Sequence, residues 1–239
     1  MSRVALVTGG AVRVGRALSL GLAEAGYDLL VHYHASSGPA EQVRLEAQAL
    51  GRDVDLVQAD LADPAQVEHL AEHLARRFGR LDLLVNSASL FEPTALLEIG
   101  ADAWDRVMAV NLRGPHLLVR ACADLLRASR GCVVNISDHM ALEPWVRYAH
   151  HSVSKAALIH LTRIMARALA PHVRVNAIAP GLVLAPEGLD DEALQAEIDA
   201  TVLGRSGSPE DVLRTVLFLA DSPYITGDLI VVDGGRHLT

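Results

Sequence analysis

A buried strand, a glycine turn and a helix are predicted in succession by Val4-Ala-Leu-Val7-Thr8-Gly9-Gly10-Ala-Val-Arg13-Val14-Gly15. Residues 4–7 are apolar on both faces, as expected of a strand inside a parallel sheet. The glycines that follow permit a sharp turn into the next helix. One such turn is a weak signal, and its weight comes from the pattern that continues along the chain.

Short apolar runs alternate with longer helical patterns through the rest of the chain. We predict strands at 4–7, 28–33, 54–58, 81–85, 132–136, 173–178 and 229–232, and helices at 14–25, 39–50, 64–78, 100–128, 148–170 and 209–220. This alternation predicts a single α/β domain over residues 1–239, with a doubly wound parallel sheet of about seven strands. Residues 182–206 are the least patterned, and we expect either a lid over a site or an ordinary surface connection.

The composition limits the classes of function. The chain is 51% hydrophobic, which is ample for a core. The net charge of -8 argues against nucleic acid as a main partner. Cys122 and Cys132 match no metal or redox spacing, and we expect both to be buried. We also expect no signal peptide and no membrane span, and therefore a cytoplasmic protein.

Lysine is nearly absent from the chain. Among 21 Lys and Arg residues, Lys155 is the one lysine. A compact ammonium can donate to two hydroxyls and lower the pKa of a neighbouring group, whereas a guanidinium is a wide planar fork. The lone lysine therefore suggests chemistry that needs an ammonium, and the alternative is a chance surface residue.

Several short motifs follow one another along the chain. They are Thr8-Gly9 to Arg13-Val14-Gly15, Asp60-Leu61, Asn86-Ser-Ala-Ser89, Asn111, Pro180-Gly181 and Asp233-Gly-Gly235. Together they resemble the short-chain dehydrogenase/reductase family over the full length, and the resemblance implies a Rossmann-type fold. It also implies a set of cofactor-binding residues: Gly9, Arg13, Val14, Gly15, His34, Ser36, Asp60, Leu61, Asn86, Ala88, Lys155, Pro180, Gly181 and Leu182.

Further details resemble the pteridine reductases and the bacterial dihydromonapterin or dihydrofolate reductases of that family. Arg13 stands where the turn usually has its middle glycine, and Asp138 stands where the wider family has Ser. The second predicted strand ends in His32-Tyr33-His34-Ala35-Ser36, which is similar to the subgroup's sequence. The resemblance implies that Ser89, Phe91 and Tyr148 bind the substrate, with Phe91 stacking on a pterin ring.

The end of the second predicted strand bears on cofactor choice. An acidic residue there would bind the adenosine 2′-hydroxyl and select NAD, and residues 32–37 contain none. Arg13 could instead reach a 2′-phosphate, for which a guanidinium is well suited. We therefore expect NADPH, although Ala35 replaces an arginine that would have supplied a phosphate contact.

The family's catalytic Tyr-x-x-x-Lys is altered here, because His151 occupies the tyrosine position ahead of Lys155. Three hypotheses follow. His151 donates the proton, as an imidazole can near neutral pH. Alternatively, the proton comes from Asp138 through water and His151 only shapes the site. In the third hypothesis the protein binds its cofactor but catalyses poorly.

The resemblance makes Asn111 the fourth catalytic residue, beside Asp138, His151 and Lys155. In the family its helix is distorted, which frees a backbone carbonyl to hold a water. The alternative is a polar residue that ends a helix ahead of Gly114-Pro115. We expect no metal site, because the neighbouring histidines lack further ligands at suitable spacing.

The leading hypothesis for function is an NADPH-dependent reduction of a C=N bond in a pterin or dihydrofolate-like ring. A carbonyl reductase acting on a ketone or quinone is a second hypothesis. A non-catalytic or regulatory NADPH-binding protein on the same scaffold is a third, since a fold alone does not establish function. The resemblance also implies a homo-oligomer, with a tetramer favoured, assembled through the long helices and the last strand.

Overall fold

The computed structural model describes residues 2–185, 188 and 190–239. Its strands are β1 (Arg3–Thr8), β2 (Tyr27–Tyr33), β3 (Val54–Gln58), β4 (Leu83–Asn86), β5 (Cys132–Ile136), β6 (Arg174–Pro180) and β7 (Leu229–Val232). They form one parallel sheet in the order β3-β2-β1-β4-β5-β6-β7. The predicted fold class is therefore confirmed.

Helices cover both faces of this sheet. They are α1 (Arg13–Glu24), α2 (Ser37–Ala49), α3 (Pro64–Phe78), α4 (Ala101–Met108), α5 (Gly114–Ala121), α6 (Ala123–Ser129), α7 (Ala149–Leu169), α8 (Asp191–Asp199) and α9 (Pro209–Asp221). One core contains Leu22 of α1 and Val216 of α9, and the other contains Leu70 of α3 and Leu118 of α5. The sheet is thus buried on both faces, which accounts for its apolar strands.

Local sequence sets the starts of α3 and α9. Asp63 accepts a hydrogen bond from the Ala65 N–H and is followed by a proline in the first turn. Ser208 and Asp211 form a reciprocal capping box, also followed by proline. These side chains satisfy N–H groups that have no acceptor within a helix, which explains why both starts lie at the predicted positions.

The prediction of one continuous helix over residues 100–128 was wrong in its middle. A π-helical turn, Ala109–Arg113, separates α4 from α5. Pro115 has no N–H to donate to the Asn111 carbonyl, its normal acceptor in an α-helix. The Gly114 N–H donates to Ala109 instead. The distortion expected at Asn111 is therefore present, and the following proline leaves the Asn111 carbonyl without its usual helical donor.

The order of the strands defines a crevice at one edge of the sheet. The chain runs outward from β1 to β2 and β3, then returns to build β4 to β7 on the other side. In such sheets ligands bind beyond the carboxyl ends of the strands where the order reverses. Gly9, Ser87 and Gly181 directly follow β1, β4 and β6 at this edge. Among the described helices none is long and apolar enough to cross a membrane.

Candidate active site

The turn between β1 and α1 brings backbone against backbone. A Cβ on Gly15 would lie 2.1 Å from the Gly9 carbonyl oxygen, so no side chain fits there. Gly9 and Arg13 both have positive φ, at 63° and 51°. Val12 precedes α1 without a side-chain cap on its N–H groups. A helix start of this kind suits an anion such as a phosphate.

His32 supports this turn from β2, a role that the sequence did not reveal. The Gly9 N–H donates to His32 Nδ1 at 3.1 Å, and Nε2 lies 3.0 Å from the Ala59 carbonyl oxygen. Accepting at Nδ1 and donating at Nε2 requires the neutral ring. Burial lowers the pKa of His32 to about 4, so the ring stays neutral at physiological pH.

Arg13 joins the turn to the start of the expected lid. Its Nη2 donates to the carbonyl oxygens of Leu184 and Ala185, at 3.3 and 3.0 Å. His34 is exposed at the end of β2, and Ser36 precedes α2 as its N-cap residue. These residues lie at the edge where an adenosine 2′-phosphate is expected, and its binding by Arg13, His34 and Ser36 stays a prediction.

Asn86 ends β4 beside the turn. Its amide nitrogen donates to Asn135 Oδ1 at 2.8 Å, while its own buried Oδ1 has no partner among the described residues. Thr8 Oγ1 accepts the N–H groups of Ser87 and Ala88, at 3.0 and 3.1 Å. The segment after β4 is thereby fixed against the glycine turn. The unpartnered oxygen leaves an acceptor available to a ligand.

Asp60 and Leu61 follow β3 on the same side. Asp60 Oδ1 accepts the Ala62 N–H at 2.8 Å, which closes a turn, and Leu61 is buried. Val14 packs against the core at the start of α1. The structure therefore gives Asp60, Leu61 and Val14 structural contacts, and their predicted contacts with a cofactor stay predictions.

Asn111 joins the distorted helix to the segment after β4. Its Oδ1 accepts the Leu90 N–H at 2.8 Å, and its Nδ2 donates to the Leu90 carbonyl oxygen at 3.0 Å. The same Nδ2 lies 3.1 Å from Ser154 Oγ on α7. Asn111 thus holds Leu90 beside the helix that carries His151 and Lys155.

His151 is enclosed by oxygen atoms at both ring nitrogens. Nδ1 lies 3.0 Å from the Leu90 carbonyl oxygen, and Nε2 lies 3.3 Å from Asp138 Oδ2. Only a ring with hydrogen on both nitrogens can donate to both oxygens. Its side chain is 3% exposed. The residue at the tyrosine position is therefore held in place by Asp138 and Leu90.

Asp138 lies after β5 and is the more open member of this pair, with 24% of its side chain exposed. Its Oδ1 accepts the Met140 N–H at 2.8 Å and lies 3.0 Å from His139 Nδ1. Burial raises the pKa of Asp138, but contacts with His139 and His151 outweigh it and hold the pKa well below 3.8. Asp138 is therefore ionised at neutral pH.

Lys155 lies one helical turn after His151 on α7, and its side chain is buried. Its Nζ donates to the Ile136 carbonyl oxygen at 2.8 Å. Burial lowers the pKa of Lys155 to about 8, although the nearby Asp138 carboxylate opposes the change. The lone lysine is thus part of the site, and the alternative of a chance surface residue is excluded.

Two aromatic rings form one wall of the site. Phe91 stacks on Tyr148 with ring centroids 4.4 Å apart and planes 13° from parallel. The edge of His151 meets Phe91 at 4.9 Å. Ser89 is exposed just before this wall, with its Oγ 3.4 Å from the Leu90 carbonyl oxygen. The three residues expected to bind substrate therefore lie next to the three central catalytic candidates.

Pro180, Gly181 and Leu182 leave β6 at the same edge of the sheet. A Cβ on Gly181 would lie 2.7 Å from Asp233 Cβ, so this position also requires glycine. The Gly207 N–H donates to the Leu182 carbonyl oxygen at 2.9 Å. Pro186, Glu187 and Leu189 of the expected lid lie outside the described residues. The rest of 182–206 contains α8.

His139 is the second residue in the site that the sequence did not reveal. It is buried and its ring edge faces Trp145, with centroids 5.6 Å apart. Its position next to Asp138 in the sequence was the available signal, but that signal does not show which way its ring points. Among the described residues, no cluster of three or more His, Cys, Asp or Glu could hold a metal ion.

Comparison with known proteins gives full-length similarity. A family model described as Enoyl-(Acyl carrier protein) reductase matches residues 10–237. The chain is 35% identical to the 3-oxoacyl-[acyl-carrier-protein] reductase FabG of Staphylococcus aureus, over 100% of this chain and 99% of that protein. It is 33% identical to an L-rhamnose 1-dehydrogenase (NAD(P)(+)) of Sphingomonas sp., over 99% of this chain and 96% of that protein. A similar solved structure is that of FolM alternative dihydrofolate reductase 1 from Brucella suis in complex with NADP. Its TM-score is 0.93 at 35% identity, over 99% of this chain and 96% of that protein.

Proposed function

Because the chain belongs to the short-chain dehydrogenase/reductase family, we propose that it is an NADP(H)-dependent reductase of a C=N bond in a pterin or dihydrofolate-like ring. The resemblance to the FolM reductase supports this choice of substrate class. The FabG and L-rhamnose dehydrogenase relatives are matched to a similar extent. The choice between substrate classes therefore depends on the chemistry of the site itself.

The residues around the glycine turn fit a dinucleotide. The uncapped start of α1 provides N–H groups for a pyrophosphate, and the unpartnered Asn86 Oδ1 provides an acceptor beside it. Residues 32–37 contain no carboxylate that would oppose a 2′-phosphate. Pro180 and Gly181 lie at the edge where a nicotinamide amide would be held. When bound there, the nicotinamide supplies the hydride.

One observation carries the proposal: Asp138 is partly exposed, while the residue at the tyrosine position is buried and engaged. His151 has an oxygen at each ring nitrogen and a side chain 3% exposed, against 24% for Asp138. The Asp138 carboxylate is therefore the more accessible of the two groups. Because it is ionised, this supports a route in which the proton comes from a water held by Asp138, with His151 shaping the site.

Reduction of a C=N bond suits this arrangement better than reduction of a ketone. Hydride addition to a ketone leaves an alkoxide, which needs a well-placed acid. Hydride addition to C=N leaves charge on a nitrogen, which takes a proton from water readily, and the hydroxide that remains is neutralised by solvent. An ionised Asp138 can orient that water as a hydrogen-bond acceptor. The Lys155 ammonium lies near the Asp138 carboxylate and favours its ionised form.

The aromatic wall supports a flat, ring-shaped substrate. Phe91 is 38% exposed, so part of its ring is open to a ligand, and the Tyr148 ring stacks on it and fixes its orientation. Offset stacking on such a face contributes about 1 kcal/mol beyond burial. Ser89 adds a polar group at the same margin. A pterin combines a flat face with a polar edge, and these residues match both.

The test is NADPH oxidation with 7,8-dihydrobiopterin or dihydrofolate, for the parent protein, Asp138→Ala and the control Asp124→Ala. Asp124 is fully exposed on α6 and far from the site in the fold. We expect turnover by the parent and by the control, with a loss of 100-fold or more in Asp138→Ala, on the order of a general acid–base contribution. Turnover that survives in Asp138→Ala would contradict the assigned proton route.

A carbonyl reductase is the second candidate, because the FabG relative is named for a 3-oxoacyl substrate. The same assay with an acetoacetyl thioester and with a simple ketone distinguishes the two. Greater turnover of the thioester or the ketone than of dihydropterins would favour a carbonyl reductase. NADPH binding without turnover of any substrate would favour the non-catalytic alternative.

We also propose that the protein is a homo-oligomer, with a tetramer favoured. A wide groove of about 910 Å³ runs along α4, α5 and α7 and is lined by apolar residues such as Met108, Leu112 and Ile164. Its position supports assembly through the long helices. Light scattering after gel filtration measures the mass, and a monomer at micromolar concentration would contradict this proposal.

A further inference from the structure

We infer that His139 is a positioning residue of this site, which holds the Asp138 carboxylate ionised and oriented from the side opposite His151. The inference rests on the proposed function and deepens it, because it concerns the carboxylate proposed to hold the proton-donating water. It assigns His139 a role that the family resemblance does not provide.

The geometry places one imidazole at each carboxylate oxygen. His139 Nδ1 lies 3.0 Å from Asp138 Oδ1, and His151 Nε2 lies 3.3 Å from Asp138 Oδ2. The Met140 N–H also donates to Oδ1, at 2.8 Å. A carboxylate held at both oxygens cannot rotate without breaking one of these contacts. The direction that Asp138 presents to the crevice is therefore fixed.

The contact between His139 and Asp138 depends on charge. His139 Nδ1 lies 3.0 Å from Asp138 Oδ1, and the Pro180 carbonyl oxygen also faces the ring. A neutral ring has hydrogen on one nitrogen and can donate to only one of these oxygens. A protonated ring gains the attraction of the carboxylate. The arrangement therefore favours an imidazolium at His139.

The groups around His139 agree with this assignment. Asp138 faces it from the end of β5, Glu143 from the following loop, and the Pro180 carbonyl oxygen from β6. Burial lowers the pKa of His139, but these oxygens outweigh it and raise the pKa above 6.5. Arg236 pairs with Glu143 at 3.4 Å, which reduces the contribution of Glu143 to the raised pKa of His139. Asp138 also faces His151 and Lys155.

His139 acts through Asp138. Its side chain is 9% exposed, compared with 24% for Asp138, so the carboxylate is the more accessible of the two groups. The expected consequence is a carboxylate that stays ionised at lower pH than an isolated one. Loss of His139 should therefore move the acidic limb of the pH profile, which a packing defect alone would leave in place.

The first experiment reads the protonation of His139 in the absence of turnover. Long-range proton–nitrogen spectra of histidine-labelled protein are recorded from pH 5 to 9, with His139→Phe identifying its signal. We expect His139 to titrate above pH 6.5 in the parent. In Asp138→Asn its midpoint should fall by about one pH unit or more. An unchanged midpoint in Asp138→Asn would overturn the inference.

The second experiment measures kcat/KM against pH for the parent, His139→Phe, His139→Asn and the control His69→Phe. His139→Phe keeps a ring beside Trp145 without a charge, and His139→Asn keeps an N–H donor. We expect the acidic limb to move to higher pH in both His139 variants and to stay in place in the control. An equal loss of kcat/KM at every pH, with the acidic limb in place, would overturn the inference. If no dihydropterin is turned over, the proposed function fails, while the spectra still decide the role of His139.

Discussion

The Lys155 ammonium donates a 2.8 Å hydrogen bond to the carbonyl oxygen of Ile136, the last residue of β5. Its side chain is otherwise enclosed by the protein, and burial lowers its pKa from 10.5 to about 8. The unfolded chain therefore binds this proton more tightly than the folded protein does. Below pH 8 the charged lysine costs folding free energy, and it is retained at a position where the family places catalysis.

Lys155→Met should make the protein more stable and inactive. The difference between the two pKa values corresponds to about 3 kcal/mol of unfolding free energy at pH 7, and this cost disappears toward pH 10.5. Urea unfolding at pH 7 and pH 10 measures it. The control Arg163→Met changes an exposed cation on the same helix and should have little effect. A less stable Lys155→Met at pH 7 would show that the ammonium stabilises the fold.

His32 should make the parent protein sensitive to mild acid. Its pKa is about 4 in the folded protein against 6.5 ordinarily, because burial disfavours the charged ring. As pH falls from 6.5 to 4, the unfolded chain gains a proton that the folded protein does not, and up to about 3 kcal/mol of stability is lost. His32→Gln should be less stable at pH 7 but lose less on acidification. Urea unfolding at pH 7 and 4.5 tests this, and equal pH slopes for parent and variant would contradict it.

Gly15→Ala should disrupt the cofactor turn. Its Cβ would lie 2.1 Å from the Gly9 carbonyl oxygen, and backbone cannot yield as a flexible side chain does. We expect at least a tenfold weaker NADPH affinity, measured by fluorescence titration. Gly100→Ala is the control, because a Cβ there meets nothing within 4 Å and Gly100 precedes α4, outside the predicted cofactor site. Equal NADPH affinity in the two variants would show that the turn is not part of the cofactor site.

Strands were predictable from sequence because strands buried on both faces are continuously apolar, and β5 has the predicted bounds. The glycine turn was also predictable, since its shape depends on neighbouring residues. The role of His32 was not, because the fold brings the Gly9 N–H and the Ala59 carbonyl to its ring. Nor was that of His139, because the sequence does not show that its ring turns toward Asp138 and the Pro180 carbonyl. The reach of Arg13 to the backbone at residues 184–185 likewise depends on how the chain returns to the sheet.

Phe91→Leu should weaken substrate binding without affecting the cofactor. The rings of Phe91 and Tyr148 stack with their centroids 4.4 Å apart. Replacing Phe91 by leucine removes its flat face and with it a stacking contribution of about 1 kcal/mol. We expect KM for a dihydropterin to rise about five- to tenfold, with unchanged NADPH affinity. Phe218→Leu is the control, since Phe218 is exposed on α9. An unchanged KM would mean that the substrate does not contact Phe91.

His151→Tyr should raise activity on simple ketones more than on dihydropterins. His151 engages the Leu90 carbonyl and Asp138 with its two nitrogens, so it has no free N–H for a developing alkoxide. A tyrosine restores the family's Tyr-x-x-x-Lys arrangement with Lys155 one turn away. The proton in C=N reduction is proposed to come from a water held by Asp138, so that reaction should gain less.

The measurement is kcat/KM for a ketone and for a dihydropterin, in the parent, His151→Tyr and the control His151→Phe, which lacks the hydroxyl. A gain on the ketone in His151→Tyr but not in His151→Phe assigns the effect to the tyrosine hydroxyl. If His151→Tyr abolishes activity on every substrate while still binding NADPH, then His151 has a specific function that tyrosine cannot fill. In that case the imidazole does more than shape the site, which favours the hypothesis that His151 itself donates the proton.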